Sequence, residues 1–215
     1  MFLSIKDVPK VSWSSDKPFN LKPKISTSFF LCFGLILFGL GEGLLIVSAA
    51  GASPWSVLAQ GIHLNINLSV GITTILISIV VLLFWFPLNQ KPGIGTILNA
   101  LIIGLMIDIC INFFPTPEIY ISQLLLAIIA VLTVGLGGGI YLVANLGPGP
   151  RDGLMIGLQK KTNLPIAAVR ALLEITVMSI GWYLGGTVGI ETILFAFGIG
   201  PAVALGLFIV GKSFN

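Results

Sequence analysis

The chain has 215 residues, of which 56% are hydrophobic and only 9% charged, and its formal net charge is +3. Soluble domains carry about 25% charged residues, so this composition excludes a water-soluble globular protein, and basicity confined to loops does not point to nucleic acid. Two cysteines inside apolar stretches and a single histidine provide neither a disulfide framework nor a metal-ligand set; no metal or cofactor is expected.

Residues 1–26 are polar, with Lys6, Lys10, Lys17, Lys22 and Lys24 against Asp7 and Asp16. They lack a short apolar core and a small-residue cleavage site, so the segment does not read as a cleaved signal peptide. A mobile cytoplasmic tail facing the membrane is expected. Six apolar stretches follow, each long enough to cross ~30 Å of hydrocarbon with ~20 residues. They are Thr27–Ala50, Ser69–Leu88, Gly95–Phe114, Tyr120–Asn145, Pro165–Gly185 and Gly189–Gly211.

The first stretch is halted by Gly51-Ala52-Ser53-Pro54, and the fourth by Gly147-Pro148-Gly149-Pro150. Proline is favoured at a first helical position, and glycine permits the turn before it. Short helices over Pro54–Ile66 and Pro150–Lys161 are therefore expected, each ~18 Å long and too short to cross. Two readings remain for them. In one, the helix lies flat at the interface, with Leu154, Met155 and Leu158 toward lipid and Asp152, Gln159 and Lys160 toward water. In the other, it is a re-entrant half-helix whose free N–H groups, with Arg151 beside them, would hold an anionic group. Asp152, in the first turn, would compete for the same dipole.

Shifted by 96 residues, the chain matches itself without a gap. Gly39-Leu40-Gly41-Glu42-Gly43 meets Gly135-Leu136-Gly137-Gly138-Gly139, and Gly93-Ile94-Gly95-Thr96 meets Gly189-Ile190-Glu191-Thr192. The repeat divides the chain into the tail (1–26), a first membrane unit (27–118) and a second (119–215). Ten of the eleven Lys and Arg residues fall in the tail, in the loops at Lys91 and at Arg151, Lys160 and Lys161, or at Lys212. The loops 51–68, 115–119 and 186–188 contain none. By the positive-inside rule both termini are cytoplasmic. Three spans per repeat then turn the second copy upside down relative to the first. The expected fold is an all-α membrane protein of six transmembrane helices in two inverted three-helix repeats, an arrangement found in many transporters.

Glu42, Asp108, Arg170 and Glu174 lie inside the expected spans, where ionisable groups must face protein, water or a partner. Arg170 and Glu174, spaced i,i+4, share a helix face and can pair; the plainer reading is a snorkelling Arg neutralised by its neighbour. Glu42 and Asp108 have no partner nearby in sequence, and either is a candidate to pair with Arg170 or to carry a proton. The repeat places Gly138, Ala204, Thr74 and Ser78 opposite Glu42, Asp108, Arg170 and Glu174, so the scaffold is duplicated but these charges are not. Together with Arg151, the four are expected to line or gate a central cavity. The glycine runs at 39–43 and 135–139 are not preceded by strands and read as close helix packing, not phosphate loops. Trp13, Trp55, Trp85 and Trp182 are expected as interfacial anchors. His63 reads as a surface residue, and no catalytic set is apparent.

The run Gly147-Pro148-Gly149-Pro150-Arg151-Asp152-Gly153-Leu154-Met155, with Arg170, Glu174, Gly185-Gly186-Thr187-Val188-Gly189 and Gly198-Ile199-Gly200-Pro201, resembles the YczE/YyaS/YitT family of bacterial membrane proteins. Ser53-Pro54-Trp55, Gly93-Ile94-Gly95-Thr96 and Asp108 extend the likeness, which covers about residues 29–211 and is greatest to the YczE branch. Family members often carry an acidic residue where Ser56 stands. The resemblance implies a multi-pass protein of the bacterial cytoplasmic membrane and supplies no substrate. The function expected is a secondary transporter or facilitator for a small solute, an anion among the candidates, and not an enzyme. The alternative is a non-transporting scaffold or accessory protein for a biosynthetic or export complex. The lipid bilayer is the one partner implied, and a homo-oligomer is left open. Site-directed labelling should place Lys91 and Lys160 on the same side of the membrane; opposite sides would abolish the inverted arrangement.

Overall fold

A computed structural model describes residues 8–214, which form eight α-helices and no strand among the described residues. They are α1 (Ile25–Val47), α2 (Pro54–Ile66), α3 (Val70–Trp85, extended by a 3-10 turn over Phe86–Leu88), α4 (Ile94–Phe113), α5 (Tyr120–Ala144), α6 (Pro150–Thr162), α7 (Ile166–Tyr183) and α8 (Ile190–Phe214). All but α2 and α6 are long and apolar enough to cross a membrane, giving six candidate spans. The chain is a multi-pass membrane protein.

Local chemistry sets the short helices. Ser53 caps α2 by accepting the Ser56 N–H at 3.4 Å, with Pro54 in the first turn. Gly149 precedes Pro150 at the start of α6. Asn67 and Asn163, at φ +51° and +56°, end the two helices in the left-handed conformation that Asn tolerates. The starts of α2, α3 and α4 (54, 70 and 94) recur 96 residues later in α6, α7 and α8 (150, 166 and 190). The backbone repeats in finer detail as well. Ala49, Gly51, Asn67 and Asn89 have positive φ, and so do their 96-residue counterparts Asn145, Gly147, Asn163 and Gly185.

At the centre, α1 and α5 cross in backbone contact. A Cβ on Gly34 would lie 2.9 Å from the Gly137 carbonyl, and one on Gly41 would lie 2.7 Å from the Ala130 carbonyl. Rising numbers in α1 meet falling numbers in α5, so the two helices are antiparallel. The other faces of the same helices take α4 and α8. Gly39 and Gly43 receive Met106 and Cys110 of α4, while Gly135 and Gly139 receive Ala202 and Gly206 of α8. The Gly95 N–H donates to the Leu146 carbonyl at 2.8 Å, and the Glu191 N–H to the Ala50 carbonyl at 3.3 Å. These two bonds are the same contact with the halves of the chain exchanged. The short helices pack between α3 and α7 on the outside of this central four-helix group. α3 also packs against α4, with the Gly71 and Gly104 backbones touching, whereas α7 makes no comparable contact with α8.

Two expectations are corrected. The tail is packed against the bundle from residue 8 onward: Trp13 is buried, stacks on Phe30 at 4.5 Å and meets Phe214 edge-on. Ser15 N–H donates to the Ala144 carbonyl and the Asn145 side chain to the Ser15 carbonyl, so the segment is tied to the end of α5. The indole supplies apolar area that a purely polar tail would lack. Residues 1–7, with Lys6 and Asp7, lie outside the described residues. Of the four tryptophans only Trp182 faces outward; Trp13, Trp55 and Trp85 are interior, because each finds an aromatic, cationic or hydrogen-bonding partner there.

The repeat positions Gly104 and Gly200 differ sharply. A Cβ on Gly104 would meet Ile75 at 2.5 Å and the Gly71 carbonyl at 2.6 Å, but one on Gly200 would meet nothing within 4 Å. Gly104→Ala should cost about 1–3 kcal/mol by overpacking. Gly200→Ala should be neutral or gain up to about 1 kcal/mol from helix propensity. Thermal unfolding of the two variants in detergent checks the contrast.

Candidate functional site

The N-termini of α2 and α6 open onto one cavity of about 280 Å³, lined also by residues of α1, α3, α4, α5, α7 and α8. α6 runs outward from it: the Pro150 carbonyl accepts the Trp85 indole N–H at 2.9 Å, and Gly157 lies against Leu88 and Gln90 beyond the end of α3. Gly153 is pressed on the Trp85 ring, where a Cβ would come within 1.9 Å. The backbone turns leading into the short helices are made by Gly51 (φ +143°) and Gly147 (φ +106°), each seated against the first turn of a helix from the other half. Thr96 donates to the Pro148 carbonyl at 2.7 Å, fixing the second break.

Glu42 is 1% exposed. One of its oxygens accepts the hydroxyls of Ser53 and Ser56, both at 2.7 Å, at the start of α2. The other has no hydrogen bond and faces the Arg151 Nη1 at 3.9 Å. Arg151 reaches into the cavity from the first turn of α6 and lies over the Trp55 ring, 5.2 Å from its centroid. Burial lowers its pKa, and the carboxylates of Glu42, Asp152 and Glu174 offset only part of that; a guanidinium stays charged in such surroundings. Asp152 accepts the Tyr141 hydroxyl at 2.5 Å. On α7, Arg170 Nε donates to Glu174 at 2.9 Å, the i,i+4 pair legible in the sequence. Each acid in the cavity therefore has a partner, but the Arg151–Glu42 pair is too long for a hydrogen bond. The guanidinium keeps donors to spare.

The structure thus brings Glu42, Arg151, Asp152, Arg170 and Glu174 together around one space. It does not bring Asp108 there. Asp108 accepts the Ser69 hydroxyl and the Gly71 N–H, the latter at 2.7 Å, and so caps α3 from α4. It is a helix-end acceptor, removed from the cavity because α3 and α4 close on each other at that level. Glu42 meets Arg151, not Arg170. The repeat counterparts of four charged residues, Gly138, Trp55, Thr74 and Ser78, line the same cavity as Glu42, Arg151, Arg170 and Glu174. Arg151 in fact stacks on its own counterpart, Trp55, so the cavity lies where the two halves meet.

Sequence reasoning missed Tyr141, Trp55 and Asn99 in the lining, and it missed Glu191, which is fully buried at the start of α8. The last was legible: an acid two residues into an apolar stretch. Tyr141 carried no signal, since a tyrosine near a span end also fits an anchor. The position of Ser56, often acidic in the resembling family, faces Glu42. A hydroxyl donor there satisfies a carboxylate that a second acid would repel.

Comparison with known proteins places the chain in a family. A family model described as "Family of unknown function (DUF6198)" matches residues 25–207. The chain belongs to this family. Proteins similar to it include a Haemophilus influenzae protein, 38% identical over 208 residues, covering 97% of this chain and 94% of the relative. The Bacillus subtilis membrane protein YczE is 34% identical over 169 residues (78% and 79% of the two chains), and YyaS of the same organism is 30% identical over 166 residues (75% and 82%). The chain is accordingly a YczE/YyaS-like, DUF6198-family membrane protein. No solved structure matches it.

Removing the buried carboxylate that serves two hydroxyls and Arg151 should be far costlier than removing the cap on α3. Glu42→Ala should lose about 3 kcal/mol or more, as expected for breaking a buried pair. Asp108→Ala should lose about 1 kcal/mol, the typical worth of a helix cap. Chemical or thermal unfolding of the purified variants measures both.

Proposed function

We propose that this DUF6198-family protein is a secondary transporter or facilitator for a small anionic solute in the bacterial plasma membrane. In this reading it has two inverted three-helix repeats and cytoplasmic termini. The observation that carries the reading is the charged cavity at the meeting point of the two short helices. A solid helical scaffold has no use for a space that gathers five ionisable groups, one of them a fully buried glutamate, around an arginine with unspent donors.

Arg151 is the docking group. Its planar fork suits a carboxylate or phosphate oxygen pair, and the loose Glu42 contact leaves that fork available. The N-termini of α2 and α6 add positive potential from two sides, partly offset by Glu42 at one and Asp152 at the other. Those internal acids, three with Glu174 against two guanidinium groups, must be outcompeted by the solute, which favours modest affinity and ready release. In this reading α2 and α6 are re-entrant.

Antiparallel α1 and α5, the 96-residue offset of helix starts and left-handed residues, and the exchanged pair of loop-to-helix hydrogen bonds all support an inverted duplication. Such a fold has two mirrored states of similar energy. The tight α3–α4 contact against the separated α7 and α8 fits one of them. The other would close Ala167 toward Gly200 and part Gly71 from Gly104.

Metabolite profiling of a deletion strain supplies candidate anions, and uptake of those anions into proteoliposomes tests the reading. Arg151→Gln and Glu174→Gln should each reduce uptake at least about tenfold, a loss of about 1.4 kcal/mol in transition-state stabilisation. The outward-facing Trp182→Leu should leave it unchanged. Wild-type rates in both cavity variants, with normal incorporation, would remove the cavity from transport.

A further inference from the structure

A second buried carboxyl lies outside the cavity, and counting protons around it gives it a role. Glu191, in the first turn of α8, is fully buried. One of its oxygens contacts the hydroxyl of Ser48, which is itself fully buried at the C-terminal end of α1. The same hydroxyl contacts the Leu45 carbonyl. That carbonyl belongs to the last turn of α1, where backbone acceptors lose their usual partners. The Ala49 N–H that would have closed it goes to Ile46 instead, and the Ser48 N–H goes to Leu44. Ser48 is therefore the donor Leu45 needs, and a serine hydroxyl has one proton to give. When that proton goes to Leu45, the proton in the Ser48–Glu191 contact comes from the carboxyl.

We propose that Glu191 is a proton-binding site, holding an exchangeable proton as a carboxylic acid that donates to Ser48, which in turn donates to Leu45. The other Glu191 oxygen has no hydrogen-bond partner among the described residues, and the ion pairs among them employ Glu42 and Glu174. The elements packed around the site bring no cation to it. α1 contributes Ser48 and, nearer the centre, Glu42, which is turned to Ser53, Ser56 and Arg151. α5 carries no Asp, Glu, Lys, Arg or His, and on α8 the other charge is Lys212 at the far end. The histidine of α2, His63, is bonded to the Leu68 carbonyl.

The position also explains how a proton can be tied to movement. The first turn of α8 favours a carboxylate, whereas the carbonyl end of α1 disfavours one. With the helix ends closed together, as here, the neutral acid fits. Once they part, water and the α8 dipole stabilise the anion, and the proton leaves to the adjoining solvent. The repeat-related junction, where α4 meets the end of α5, has Gly95 at the equivalent position, so only one of the two junctions responds to protons. This site is independent of the solute cavity and stands or falls apart from it.

Infrared difference spectroscopy of the full-length protein in lipid, between neutral and alkaline pH, tests the assignment with the proton itself as probe. Wild type should show a protonated-carboxyl C=O band at neutral pH that shifts in deuterium oxide and disappears on alkalinisation. The band should be lost in Glu191→Gln, whose amide can still donate to Ser48, and retained in Glu42→Gln. In Ser48→Ala it should persist but move to higher wavenumber, because its acceptor is gone. Absence of the band in wild type, its survival in Glu191→Gln, or its persistence at alkaline pH in folded protein would overturn the proposal. If Glu191→Gln cannot be purified folded, the Ser48→Ala shift decides: a shift supports the site, and an unmoved band refutes it.

Discussion

The crossing of α1 and α5 is the contact on which the other helix positions depend. In lipid there is no hydrophobic drive to bring helices together, so close van der Waals packing must do it. Glycines at 34, 41 and 137 let backbone approach backbone, and those at 39, 43, 135 and 139 let α4 and α8 seat on the adjoining faces. With these two faces committed, α1 still has a third face for Glu42. The same three-way division on α5 leaves Gly138 at the corresponding place, and the missing side chain becomes part of the cavity wall.

Burying charge in such a bundle is feasible only where partners are prearranged. Glu42 is served by two serines at the start of α2 and by Arg151 from the start of α6. Both helices can begin inside the protein because Gly/Pro turns at 51–54 and 147–150 break the chain there. The breaks and the charge cluster are thus one design. A helix that begins inside the protein leaves unspent N–H groups, and carboxylates from elsewhere in the chain supply part of what those groups require.

The 96-residue correspondence holds for helix starts and backbone turns, and the charged residues are what depart from it. Arg151 answers to Trp55, Glu42 to Gly138, Glu174 to Ser78 and Glu191 to Gly95. In the first three pairs both members line the cavity, which is why an asymmetric charge set can share one space. The fourth pair occupies the two equivalent junctions between halves, only one of which carries an acid. In the proposed transporter, an exchange of two similar conformations would carry a different chemical bias on each side.

Composition and local pattern were enough for six spanning helices, for two short helices starting at Pro54 and Pro150, for the 96-residue repeat and for the Arg170–Glu174 pair. Each depends on interactions within a few residues or on total apolarity, and these are written along the chain. The destination of Asp108, the interior placement of three tryptophans, the docking of residues 8–24 and the partnership of Glu42 with Arg151 were not so written. Each depends on which residues from distant helices arrive at the same height and face, and an apolar helix of nearly uniform hydrophobicity gives no signal about its rotation. Only packing decides that, because steric fit at the glycines fixes the rotation and, with it, every polar group the helix carries.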